Sequence, residues 1–337
     1  MSDFAPTGLL QNPHTQSILA STSLRRLRIY PQARAMLNTS KSVILDCGDG
    51  HQLLGEYSAQ GKRSKGLITL IHGWEGHSQS SYMLSAGGTL FNAGYDIFRL
   101  NLRDHGPSHH LNRELFNSAR IEEVLGAIQT IHKTYPQQWQ FLAGFSLGGN
   151  FALRIAAKAK EAGIHLQQTI GICPVVDPAK TMNALETGWW VYHKYFVNKW
   201  QKSLKKKIRY YPELGYKDEL LKLKTLREMN NYFVPNHTPF PCAEDYFEAY
   251  NITGDALNSL SSATHIIATQ DDPIILAEDF SRLPSNNEFL HIETKQYGGH
   301  CGFIKNYQLD SWLDGRLVEL INLTRFPSGH PSNPPQP

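Results

Sequence analysis

The sequence predicts an α/β protein: a doubly wound sheet of eight strands, mostly parallel, interrupted late by a helical insertion. Three observations carry this. Eight short runs are rich in β-branched and aromatic residues, helical periodicities separate the later ones, and the alternation stops for about ninety residues between Pro174 and Thr264.

The first two runs, Ser42–Cys47 and Gln52–Ser58, flank Gly48-Asp49-Gly50, a hairpin signal, so the sheet should begin antiparallel. The other six are Leu67–His72, Tyr95–Leu100, Trp139–Gly144, Gln168–Cys173, His265–Thr269 and Phe289–Glu293. They are largely uninterrupted apolar stretches, as expected of strands covered on both faces. Between them, Ala119–Tyr135 repeats Ile121, Val124, Ile128 and Ile131 at helical spacing, and Leu147–Ala162 does the same with Leu153, Ala156 and Ala157. Strand and helix in alternation call for right-handed crossovers.

Residues 175–262 are expected to form a helical cap. Within it, Gly188–Tyr211 carries Tyr192, Phe196, Trp200, Leu204 and Ile208 every four residues, and no acidic side chain among Lys194, Lys199, Lys202, Lys205, Lys206, Lys207 and Arg209. It reads as an amphipathic basic helix. Its stripe either packs on the core beneath solvated lysines, or lines a pocket with Tyr192, Phe196 and Trp200 while the lysines attract an anionic membrane surface or acidic substrate. The end, Phe326–Pro337, is too proline-rich to fold and reads as a disordered tail, leaving residues 1–325 as one domain.

Composition narrows the function. Of 337 residues, 41% are hydrophobic and 19% charged, enough apolar material for a sizeable core. A balance of 33 basic to 30 acidic residues argues against nucleic acid as a partner. The four cysteines form no CxxC pair, so neither a zinc site nor a disulfide framework is indicated. No signal peptide or membrane span is evident, and a cytoplasmic location is expected.

The sharpest motif is Gly144-Phe145-Ser146-Leu147-Gly148-Gly149, between an apolar strand and a helix. It fits a nucleophile elbow, whose glycines relieve crowding and whose serine stands at the positive end of a helix. A serine hydroxyl needs a base, and that base a carboxylate. Downstream, the strand ending at Thr269 runs into Gln270-Asp271-Asp272-Pro273-Ile274, and Gly298-Gly299-His300-Cys301-Gly302 follows the last strand. His300 is the expected base. Asp272 is preferred over Asp271 because Ile274 supplies the apolar residue two positions on. The oxyanion donors should be the backbone N–H groups of Leu147 and, in Leu70-Ile71-His72-Gly73-Trp74-Glu75-Gly76, of Trp74. His105, His109 and His110 could suggest a metal, but Gly106 and Pro107 oppose a helix there; a solvent-exposed loop without metal is expected.

Together, HGWEG, Gly94–Ser108, GFSLGG, the DDP loop and GGHCGF resemble the α/β-hydrolase superfamily in order and spacing. More narrowly, Phe4-Ala5-Pro6, Asn12-Pro13-His14-Thr15-Gln16-Ser17 and Leu45–Gly50 resemble its YheT-like branch, which includes embryogenesis-associated and ABHD-type hydrolases. The resemblance covers nearly the whole chain and departs at Asp104, where R-G-H-G is commoner. It implies cofactor-independent serine hydrolase activity on short- to medium-chain or lipid-like carboxylic esters. The alternatives are acyl transfer to an alcohol or thiol by the same residues, and a non-catalytic binding protein that kept the fold.

Overall fold

The computed structural model describes residues 3–61 and 63–325. The expected tail at 326–337 lies outside them. Chain order begins with helices α1 (Pro13–Ser21) and α2 (Ser23–Thr39), then β1 (Ser40–Asp46), β2 (Gln52–Ser58), β3 (Leu67–Ile71), α3 (Ser81–Asn92) and β4 (Asp96–Asn101). It continues through α4 (Ile121–Thr134), β5 (Gln140–Phe145), α5 (Leu147–Lys158) and β6 (Gln168–Ile172). The insertion follows as α6 (Pro178–Thr187), α7 (Trp190–Tyr210), α8 (Lys217–Lys222), α9 (Leu226–His237) and α10 (Ala243–Glu248). The sheet then resumes with β7 (Ala263–Thr269) and β8 (Leu290–Lys295), and α11 (Trp312–Arg325) ends the described chain.

The strand order is β1-β2-β4-β3-β5-β6-β7-β8. β1 and β2 form the expected hairpin, and β2 meets β4 antiparallel. From β4 to β8 every pairing is parallel. Strands β3 to β6 are buried along their whole length, because helices cover both faces. Ile29, Ala33 and Met36 of α2 pack with Leu84 of α3 and Leu317 of α11 on one side, while α4, α5 and the insertion build a second core on the other.

One strand departs from expectation. β8 was expected to be covered on both faces, but it is an edge strand with one neighbour, and Ile292 is 41% exposed. The face bearing Ile292 and Thr294 is left open to solvent, whereas on the opposite face Glu293 and Lys295 pair with each other and Glu293 also pairs with Arg316 of α11.

Helices α1 and α2 were not foreseen as elements. Asn12 caps α1 by accepting the His14 and Thr15 N–H groups, and Pro13 stands at its first helical position. α2 interrupts its own apolar pattern with arginines and an internal Pro31, and leaves Leu24, Leu27 and Tyr30 exposed. Among the described residues no helix is long and apolar enough to cross a membrane.

Candidate active site

At the end of β5 the chain turns abruptly. Ser146 takes φ +52°, a left-handed conformation that L-residues avoid, and donates its N–H to Ile172 O at 2.8 Å. The flanking glycines are required by contact with backbone. A Cβ on Gly144 would lie 2.0 Å from Gly148 O, and one on Gly148 would lie 2.4 Å from both His72 O and Ile71 O. The side chain of Ser146 is thereby held above the sheet at the N-terminus of α5.

Three of the residues singled out in the sequence converge here. His300 Nε2 lies 2.9 Å from Ser146 Oγ, and His300 Nδ1 lies 2.8 Å from Asp272 Oδ2. Asp272 uses its other oxygen to accept the N–H groups of Ile274 and Ile275, at 2.8 and 3.0 Å. Asp271 points elsewhere: its carboxylate accepts the N–H groups of Gly299 and Gly298, bracing the turn that carries His300. Burial disfavours a charged His300 ring, but the charge and hydrogen bond of the Asp272 carboxylate and the charge of an ionised Cys301 outweigh it and raise the imidazole to about 9.

The loop after β3 supplies the other wall. The N–H of Gly73 is donated to Tyr82 Oη (3.0 Å), that of Glu75 to His105 Nε2 (3.1 Å) and that of Gly76 to Gly73 O (2.9 Å). Trp74 N–H is left in this stretch without a protein acceptor among the described residues. Leu147 is the first residue of α5, and the N–H groups of a helix's first turn have no partner within the helix.

The cap residues divide. Phe196 stacks on Trp74 (centroids 5.1 Å apart, 8° between planes) and Trp200 meets the same indole edge-on. Both line a largely apolar cavity of about 1070 Å³, its open mouth included, which reaches Ser146. Tyr192 does not line that cavity. Its hydroxyl bonds His14 Nδ1 at 3.0 Å, and it borders a second cavity together with His300.

Two expectations about charge are overturned. Lys207 is not solvated: its ammonium is buried 2.7 Å from Asp104 Oδ1 and also donates to Asn112 O. Lys206 donates to Gly106 O at 2.6 Å. Asp104, the position that departs from the commoner motif, has φ +58° and is the counter-ion that fastens α7 to the loop after β4. The expected solvent-exposed loop holds for His110 alone of its three histidines, since His105 and His109 are buried. His105 is held between Arg103 O and the Glu75 N–H, and His109 Nε2 pairs with Ser203 Oγ. Burial lowers His105 to about 4, so its ring stays neutral and able to accept. Among the described residues no group of three His, Cys, Asp or Glu side chains could hold a metal ion.

Sequence reasoning assigned no structural role to the N-terminal brace. Gln16 is fully buried; its amide donates to Leu10 O and Ile304 O and accepts the Ile304 N–H, while Ser17 Oγ accepts the His300 N–H. The Asn12-Pro13 pair was the available signal for this helix.

With this geometry in place, similarity to known proteins is informative. Residues 62–290 match the model of the Hydrolase_4 family, described as serine aminopeptidase, S33. The chain is 22% identical over 332 residues to an abhydrolase domain-containing protein of Dictyostelium discoideum, covering 95% of this chain and 80% of that one. It is 22% identical over 240 residues to mouse phospholipase ABHD3, covering 71% of this chain but 58% of the relative, less than two thirds of its length. Among solved structures, the Pyrococcus furiosus esterase Pf2001 superposes with a TM-score of 0.57 at 17% identity, covering 96% of this chain and 98% of that one. At such identity it supports the fold alone.

Proposed function

This chain belongs to the serine aminopeptidase S33 family of α/β hydrolases, and from that premise we propose that it is a serine hydrolase of carboxylic esters. Ser146 attacks the ester carbonyl, His300 takes the hydroxyl proton and returns it to the leaving alcohol, and Asp272 holds the imidazole in the required tautomer. The N–H groups of Leu147 and Trp74 receive the negative charge that develops on the carbonyl oxygen. Water then releases the acid from the acyl-enzyme.

The observation that carries this reading is the continuous relay: Asp272 Oδ2 to His300 Nδ1 at 2.8 Å, and His300 Nε2 to Ser146 Oγ at 2.9 Å. An ester is favoured over a peptide by the apolar cavity beneath Phe196 and Trp200, which suits an acyl chain. The names of two relatives, phospholipase ABHD3 and the monoacylglycerol lipase of Saccharomyces cerevisiae, point the same way.

A fluorophosphonate probe tests the mechanism directly. The wild-type protein is expected to be labelled on Ser146 and to hydrolyse p-nitrophenyl butyrate, whereas Ser146→Ala should lose both, a fall of about 10^6 in turnover. Absence of labelling in the folded wild-type protein overturns the proposal in favour of a non-catalytic binding protein. Adding an alcohol acceptor to the same assay separates hydrolysis from acyl transfer.

A further inference from the structure

Two cavities meet at Ser146, and the lining residues they share are Trp74, Glu75, Ser146 and Phe196. They differ in what else they contain. The first holds Leu147 and the apolar underside of the cap; the second holds His300, Arg26, His77 and Lys199. This asymmetry fixes how an ester must lie, granted the mechanism proposed above. When the tetrahedral intermediate collapses, the C–O bond to the alcohol breaks and the leaving oxygen takes the proton that His300 Nε2 carries. That oxygen must therefore face the cavity bordered by His300. The acyl chain is left with the first cavity, and the alcohol with the second.

The charges in the two cavities are arranged differently. In the first, Asp104 and Lys207 neutralise each other at 2.7 Å. In the second, neither Arg26 nor Lys199 has a carboxylate partner among the described residues; Lys199 Nζ lies 5.5 Å from the centroid of the Tyr195 ring. The carboxyl group bordering this space is Glu75, which burial pushes up to about 8 against the opposing pull of Lys199. At neutral pH it is mostly uncharged and offsets little of the positive charge. His77 is lowered first by burial and then by Lys199, Arg26 and Lys206, so it adds no cation of its own at neutral pH.

We propose that the second cavity is an anion-recognising leaving-group site, and that the preferred substrates are esters whose alcohol half carries a carboxylate or phosphate group reaching Arg26 and Lys199. Charge-assisted hydrogen bonds to that group would orient the alcohol beneath His300.

Three butanoyl esters with one acyl group and matched phenols test this: phenyl butanoate, the ester of 4-hydroxybenzoate and the ester of 4-hydroxyphenyl phosphate. The readout is the ratio of kcat/KM for each anionic ester to that of the neutral one. In the parent enzyme at low salt the ratio should be about tenfold or more, shrinking as salt is raised and screening shortens to a few ångströms. Arg26→Ala and Lys199→Ala should each lower it several-fold, and Lys199→Arg should largely restore it. The two anionic arms tell carboxylate from phosphate preference. A ratio at or below one, or one that neither alanine substitution moves, overturns the proposal. Calorimetric binding of 4-hydroxybenzoate and 4-hydroxyphenyl phosphate to Ser146→Ala needs no turnover. Binding of either that Lys199→Ala weakens supports the site even if the esterase reading fails; no binding of either at low salt overturns the site even if phenyl butanoate is hydrolysed.

Discussion

Ser17 Oγ accepts the backbone N–H of His300 at 2.8 Å, so a helix near the start of the chain fixes the loop that bears the base. The same hydroxyl donates to Pro13 O, which anchors it within α1. Removing it in Ser17→Ala frees the His300 backbone without touching the imidazole's own partners. Turnover of p-nitrophenyl butyrate should fall about fivefold, consistent with the roughly 1 kcal/mol of a single hydrogen bond, while fluorophosphonate labelling persists. Unchanged kinetics would show that Asp271 and the glycine turn hold His300 without help.

The two neighbouring acids should behave differently. Asp272→Asn leaves the imidazole free to adopt the wrong tautomer and should lower kcat by about 10^4. Asp271 accepts the backbone N–H groups of Gly298 and Gly299 and does not contact the His300 ring. Asp271→Asn should therefore act mainly through loop order, with a much smaller rate effect. Steady-state kinetics of both variants decide, and the reverse ranking would exchange their roles.

How far the site was legible in the sequence follows from how local each interaction is. Ser146 and its glycines announce themselves because a strained turn between strand and helix demands a fixed residue pattern. Asp272 could be chosen over Asp271 because loop register, a local property, decides which acid sits beside Ile274. The Ser17–His300 bond spans 283 positions, and the Lys207–Asp104 pair spans 103. No periodicity or motif encodes such partners. Lys207 was read as solvated with its neighbours Lys205 and Lys206 because a helical stripe gives the angular position of a side chain, not what packs against it. The β8 strand departs from expectation for the same reason: an apolar run does not say whether anything packs on each of its faces, and the one with Ile292 and Thr294 stays open.

The pH profile follows from the direction of the His300 shift. The imidazole accepts the serine proton only when neutral, and its raised value, about 9, means that it is largely protonated at pH 7. The expected kcat/KM of the wild-type protein therefore climbs with pH until about 9 and then levels. Replacing Asp272 by Asn removes the charge and hydrogen bond that oppose burial, so the residual activity of that variant should titrate at lower pH. A wild-type midpoint near 6 to 7 would argue that the ring is less coupled to Asp272 than the 2.8 Å contact implies.

The buried pair joining cap and core gives a stability test. Lys207→Met strands the Asp104 carboxylate, also bonded to the Phe116 N–H, in an apolar surround. Breaking a buried pair from one side costs about 3–5 kcal/mol, so the melting temperature should drop sharply. Adding Asp104→Asn to that variant should recover much of the loss, as no charge is then left uncompensated. Lys205, which is exposed, should tolerate substitution. Equal, small effects at Lys205 and Lys207 would contradict the burial of the pair.

The cap aromatics offer the clearest separation of specificity from packing. Phe196 stacks on Trp74, the residue proposed to donate to the oxyanion, and Trp200 meets the same indole edge-on. Both also line the cavity assigned to the acyl chain, whereas Tyr192 lines only the one beside His300. Truncating Trp200 to Ala should enlarge the acyl cavity and shift preference toward longer chains across a series of p-nitrophenyl esters, since each methylene in an apolar pocket is worth about 1–3 kcal/mol. Phe196→Ala should do the same and, by releasing the Trp74 indole, also lower kcat for every chain length. Tyr192→Phe keeps the ring and removes only the hydroxyl, with its bonds to His14 and Ser17, so it should leave the chain-length ranking as it was. If both alanine variants simply lose about 3–5 kcal/mol of stability with the ranking of esters unmoved, the stripe is core packing and the acyl chain lies elsewhere.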